Sequence, residues 1–154
     1  MSAAAGSSSA GVLDTSTVSR LGQITDAGLL PDAPLITDAG LLPDAPLITA
    51  VTLAELSVGP LVASDEVERA ARQAHLQQAE ADFDPLPFDA GAARAFGQVA
   101  ASLRRAGRKP AARTYDAMIA ATAIGHDLPI YTCNPVDFVG IDGLEVIAVA
   151  GSPA

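Results

Sequence analysis

The chain has 154 residues, 49% of them hydrophobic, and a formal net charge of −9; that length gives one domain with a real core and excludes a disordered chain. The acidic balance excludes a protein that coats nucleic acid generally. The single Cys133 excludes an internal disulfide and suits a reducing cytoplasm, no apolar run approaches the roughly 20 residues of a membrane helix, and eight Arg to one Lys with abundant Ala point to a GC-rich bacterial genome, so a bacterial cytoplasmic location is expected.

Residues 1–10 are rich in Ser, Ala and Gly without a basic start or a long apolar stretch, so they read as a flexible leader or a vector-derived remnant rather than a signal peptide. One domain is expected over residues 11–150. Gly11-Val12-Leu13-Asp14 reads as a short buried strand, and Thr15 to Gly22 as a short helix. Ile24 to Leu35 then reads ITDAGLLPDAPL, and Ile36 to Leu47 repeats it letter for letter. A period repeated only twice makes no solenoid, so this tandem duplication (24–47) is expected to leave one copy structurally surplus.

Leu47 to Val51 reads as a second buried strand, and Thr52 to about Val58 as a helix. Ser64 and Asp65 are start signals for a charged helix reaching Phe83. Leu86 to Phe88 reads as a short strand. Asp89 opens a helix through Arg105 that Gly107 ends. Thr114 to Ile124 is helical and apolar nearly all round, which predicts burial, with Gly125 as its stop. Pro129 to Thr132 reads as a strand, Asn134 to Phe138 as a turn or short helix, and Glu145 to Val149 as a last strand. Short continuous apolar strands alternating with helices predict an α/β fold with a parallel sheet. Ligands of such sheets bind off the carboxyl ends of the strands, where Asp14, Glu55 and the Asn134–Asp137 segment fall.

Four segments place an acidic residue at the edge of apolar or small residues: VLDTS around Asp14, TLAEL around Glu55, YDAMIAATA around Asp116, and TCNPVDF around Asp137. A buried carboxylate must be paired or hold a cation, and carboxylates that converge raise one another's pKa unless a cation neutralises them. Each has a plainer explanation. Asp14 can cap the following helix. Thr52 and Glu55 spell a capping box. Asp116 complements a helix dipole, and Asn134 can cap a turn with Asp137 at its third position. The ordered set of four points to a magnesium-type site. Between Asp89 and Asp116 there is no acidic residue, while Arg94, Arg104, Arg105, Arg108, Lys109 and Arg113 cluster there. That stretch is either a solvated helix face or a phosphate-contacting approach to Asp116.

Other positions carry less. His75 reads as a surface residue, and His126 as a favourable cation at a helix end. Two isolated histidines give no zinc spacing. Cys133 has no histidine partner at a motif spacing, and Phe83, Phe88, Phe96 and Phe138 read as core rather than base-stacking platforms.

From about Val12 to Val149 the chain resembles PIN-domain ribonucleases of the VapC type, the toxin half of bacterial toxin–antitoxin pairs. The resemblance rests on VLDTS, TLAEL, DAMIAATA and TxNPxDF in that order. It implies a three-layer α/β/α domain around a central, mostly parallel sheet. It also implies Mg2+-dependent (or Mn2+-dependent) cleavage of RNA, often tRNA or ribosomal RNA, neutralisation by a cognate VapB-type antitoxin, and a homodimer. Carried over by motif, Asp14, Glu55 and Asp116 match the acidic metal ligands. The fourth acidic position falls at Asn134, with Asp137 three residues on, and either one completes the pocket. Ser16, Arg108, Lys109, Arg113 and Thr132 are candidate RNA contacts. Cys133 stands where relatives often carry Arg. Two other readings stay open: a PIN-like module that binds RNA or a partner without cutting, and a haloacid-dehalogenase-like aspartyl-phosphate phosphatase. The latter lacks the second Asp of its motif after Asp14.

Overall fold

The computed structural model describes residues 9–25 and 42–149. Four strands form one sheet in the order β2-β1-β3-β4, with β1 at Ala10–Leu13, β2 at Ala45–Leu47, β3 at Ile130–Thr132 and β4 at Val146–Ala148. Every pairing is parallel: Val12 lies opposite both Leu47 and Ile130, and Ile130 opposite Val146. Helices α1 (Thr15–Thr25), α2 (Ala50–Leu61), α3 (Glu66–Asp82), α4 (Ala90–Arg105) and α5 (Thr114–Gly125) make the crossovers, with 3-10 turns at Pro110–Arg113 and Pro135–Phe138.

Side chains alternate across a strand, and both faces of this sheet are covered. Val12 and Ile130 point into a core with Val99, Leu103, Ile119, Ala120 and Phe138, built from α4 and α5. Leu13 and Tyr131 point the other way, onto Val18, Ile48 and Val149. This is why the strands read as continuous apolar runs, and it gives the three layers that the family resemblance implies. Helix α5 supplies Ala117, Ile119, Ala120, Ala121 and Ala123 to the first core, as its all-round apolar pattern requires.

Several boundaries differ from the sequence reading for local reasons. β2 stops at Leu47 because Thr49 turns the chain into α2, its hydroxyl accepting from Thr52 N at 3.2 Å. The strand expected at Leu86–Phe88 is reduced to one bridge between Thr49 and Leu86, since the helix begins at the next residue. Helix α2 continues through Pro60 to Leu61, past the expected end near Val58. A proline in a last turn removes only one bond, and Arg72 Nη1 covers the Gly59 carbonyl at 2.9 Å. Asp65 and Asp89 cap α3 and α4 as read, accepting from Glu68 N and Ala92 N. Helix α5 ends at Gly125 as read; a Cβ there would sit 3.3 Å from Ala92 N, so glycine also lets α4 and α5 approach, and Asp127 takes the left-handed turn at φ 57. His75 is half-buried rather than on the surface, with its Nε2 lacking a partner among the described residues; burial pushes its pKa down. The duplication is split between elements. Its first copy contributes Ile24 and Thr25 to α1 and its second contributes β2. Residues 26–41 between them, and 1–8 of the expected leader, lie outside the described residues.

Candidate active site

Because all four strands run parallel, their carboxyl ends share one edge, and there the chain gathers its acidic side chains. Asp14 follows the last residue of β1 and is 2% exposed. Its Oδ1 accepts from the backbone N of Thr17 at 3.1 Å and from the Thr17 hydroxyl at 2.6 Å. Its Oδ2 accepts from Thr132 Oγ1, at the end of β3, at 2.8 Å. The Ser16 hydroxyl reaches both oxygens at 3.1 and 3.0 Å. Asp14 therefore does cap α1, and the cap fixes the direction of its carboxylate.

Glu55 lies one turn into α2. The capping-box reading fails: Thr49 is the cap, Thr52 is buried inside the first turn, and Glu55 points away from the helix start. Its Oε1 accepts instead from Thr15 Oγ1 at 2.6 Å, while Thr15 also meets Thr52 Oγ1 at 3.0 Å. Burial pushes the Glu55 pKa up, against the Thr15 hydrogen bond, and Asp14 adds to the rise.

Asp116, in the first turn of α5, has its pKa raised to about 6. Burial is the main cause; Asp137, Asp14 and Glu55 add repulsion in that order, and Arg113 opposes them. Four carboxylates from four chain segments thus act on one another. Arg113 pairs with Asp137 at 3.0 Å, both partners being about one-third exposed. Glu55, Arg113, Tyr115 and Asp116 line an open pocket of about 580 Å³. At the fourth corner the charge belongs to Asp137. Asn134 starts the 3-10 turn with no side-chain cap; its backbone N donates to Thr132 Oγ1 at 2.9 Å.

The proposed RNA contacts divide. Arg113 is at the pocket and Lys109 is exposed. Thr132 is fully buried and its hydroxyl donates to Asp14. The Ser16 hydroxyl is likewise committed to Asp14. Arg108 spends its Nη1 on the carbonyls of Val136 and Val139, at 3.0 and 2.7 Å, tying down the 3-10 turn that carries Asp137. Cys133 packs beneath the site, 3.7 Å from Thr17 Oγ1. The sequence reading missed Thr15, Thr17 and Thr49 and gave Thr52 only a capping role. The signal was the hydroxyl run Thr15-Ser16-Thr17 behind a buried carboxylate.

The donor set is hard and all-oxygen, with no imidazole, which fits magnesium or manganese rather than zinc. Among the described residues no three His, Cys, Asp or Glu side chains form a ready-made metal cluster.

Residues 12–142 match the family model described as PIN domain, spanning Asp14, Glu55, Asp116 and Asp137. The chain belongs to the PIN-domain family. Among PIN domains it is similar to Ribonuclease VapC5 of Mycobacterium tuberculosis, 39% identical over 145 residues, covering 91% of this chain and 96% of that protein. It is also 36% identical over 99 residues to Ribonuclease VapC4 of the same organism, covering 64% of this chain and 73% of that one. A solved structure of a member of the VapBC family of toxin-antitoxin systems, VapBC-5 from M. tuberculosis, superposes with a TM-score of 0.70 at 36% identity, over 92% of this chain and 99% of that one. Within the PIN family the chain is a VapC-type member, and the phosphatase reading of Asp14 falls away with that membership.

Proposed function

We propose that this PIN domain is a magnesium- or manganese-dependent endoribonuclease, the toxin of a toxin–antitoxin pair, acting in the bacterial cytoplasm and held inactive by a VapB-type antitoxin. The carrying observation is that Asp14, Glu55, Asp116 and Asp137, from four separate chain segments, meet at the strand-end edge, closely enough for the other three to repel the Asp116 charge. The VapC names of its relatives and its likeness to a toxin–antitoxin structure support the substrate class and the antitoxin. tRNA or ribosomal RNA and a homodimeric state belong to the same reading.

Asp14 and Asp116 would hold the ion, with Glu55 or Asp137 completing its surroundings. The ion would supply Lewis-acid polarisation at the phosphate and a lowered pKa for water. The chain's own groups do the rest. Ser16, Thr17 and Thr132 hold the Asp14 carboxylate in one orientation. Glu55, raised in pKa and steered by Thr15, is placed to take a proton from the attacking water. Arg113 is the cation nearest to an incoming phosphate, and meeting it means loosening the Asp137 pair.

Asp116→Asn is the cleanest test, because Asp116 is half-exposed whereas Asp14 also caps α1. Purified protein incubated with total RNA and magnesium should cleave it, lose cleavage in EDTA, and lose about a hundred-fold or more in rate in the variant while its circular dichroism is unchanged. RNA bound but uncut at every magnesium concentration would replace this reading with that of a non-cutting module, which Asn134 at the fourth motif position favours.

A further inference from the structure

Tyr115 stands out once the site is built. It is 57% exposed and belongs to neither core cluster. Every other aromatic side chain is buried or half-buried: Phe138 and Tyr131 lie in the cores, Phe88 and Phe96 pack edge-to-face, and Phe83 packs against the second core. Among the described residues Tyr115 has no ring partner. Its position is specific, one residue before Asp116, in the wall of the pocket that Glu55 and Arg113 share.

An exposed ring that shares a pocket wall with the Arg113 guanidinium suits an occupant that is flat and apolar on one side and anionic on the other. An apolar peptide offers nothing to Arg113 or to a divalent ion. A nucleotide offers both, a base face for the ring and a phosphate for the cations. Bases are available for such stacking in single strands, loops and bulges, but not inside an A-form duplex.

We infer that Tyr115 is a stacking platform for one unpaired base of an RNA bound in the pocket that Glu55, Arg113 and Asp116 line. The inference rests on the ribonuclease reading above.

The chain itself provides the probe. It has two tyrosines and no tryptophan, and Tyr131 is buried, so tyrosine fluorescence reports changes at Tyr115. The full chain, in magnesium, would be mixed in a stopped-flow cell with a single-stranded hexaribonucleotide or with the same sequence as a duplex. Emission is corrected for RNA absorbance and read before turnover. The single strand should quench the emission and the duplex should not. In steady-state cleavage, Tyr115→Ala should raise KM about ten-fold with kcat within two-fold and the melting temperature unchanged. Tyr115→Phe should keep the parent KM while losing the quench. Equal quenching by the duplex, or an unaltered KM in Tyr115→Ala with cleavage intact, would overturn the stacking assignment and leave the ribonuclease reading standing. Quenching without any cleavage would support the platform and remove the ribonuclease. Neither quenching nor cleavage with any RNA would remove both.

Discussion

At the scale of single residues, structural and functional explanations of an acidic side chain turn out to be compatible. Asp14 caps α1 through Thr17 N and is, by the same bonds, the most firmly oriented carboxylate at the strand ends. Asp116 carries the opposite signature, a charge held where charge is disfavoured. An unfolded Asp titrates near 4, whereas folded, metal-free Asp116 titrates at about 6. The folded state binds this proton more tightly, so the group favours folding below pH 4 and loses that contribution as pH rises through 6. Asp116→Asn removes the penalty. In EDTA the variant should therefore melt a few degrees above the parent at pH 7.5 and level with it at pH 4, as scanning calorimetry at the two pH values would read. The half-exposed position discounts the effect to about 1 kcal/mol. Magnesium should reverse the order at pH 7.5 by stabilising only the parent, and its hold on the parent should weaken below about pH 6 as protons compete for the same oxygens.

At the scale of elements, local chemistry accounts for most starts and stops. Asp65 and Asp89 cap where a sequence reader would place them, and α5 is buried because almost all its faces are apolar. The start of α2 is instructive by contrast. Thr49, Thr52 and Glu55 are spaced by three, so two overlapping capping patterns compete along the chain. Local sequence does not choose between them. The choice falls to Thr49 because its bridge to Leu86 ends the extended chain there, and that frees Glu55 to meet Thr15. β1 shows a constraint of another kind. A Cβ on Gly11 would lie 2.3 Å from Cε1 and 2.4 Å from Cδ1 of the Tyr131 ring, and a ring packed in a sheet core cannot swing aside. Gly11→Ala should cost about 1–3 kcal/mol through overpacking, measured by urea unfolding. An unchanged midpoint would mean that Tyr131 is more loosely held than its burial implies.

At the scale of the whole molecule, the twelve-residue duplication is the main oddity. Its two copies are used in different ways, the first to finish α1 and the second to form β2. Deleting Ile24 to Leu35 leaves the letters at both junctions unchanged, because the surviving copy still supplies Ile-Thr after Gln23 and Ala-Pro-Leu before Ile48. Residues 26–44, nineteen between α1 and β2, become seven once twelve are removed, still an ordinary length for such a connection. The shorter link costs less closure entropy, by about 1 kcal/mol. The deleted chain should fold, cleave RNA as the parent does, and melt at the same temperature or slightly higher. Aggregation, or a melting point many degrees lower, would show that the extra copy is structural.

The sequence by itself determined the alternation of strands and helices, the parallel sheet, the buried α5 and most caps. Periodicity, capping chemistry and motif order are local properties, and they survive without coordinates. Tertiary structure decided which groups face one another. It brought Asp137 close enough to act on Asp116, turned the Thr132 and Ser16 hydroxyls toward Asp14, joined Arg108 Nη1 to the Val136 and Val139 carbonyls, and set Tyr115 in the wall of the pocket. Thr132 lies 118 residues from the carboxylate it serves. A parallel sheet joins strand ends that are far apart in sequence, so the partners of each side chain at that edge are fixed by the crossovers and by no local pattern.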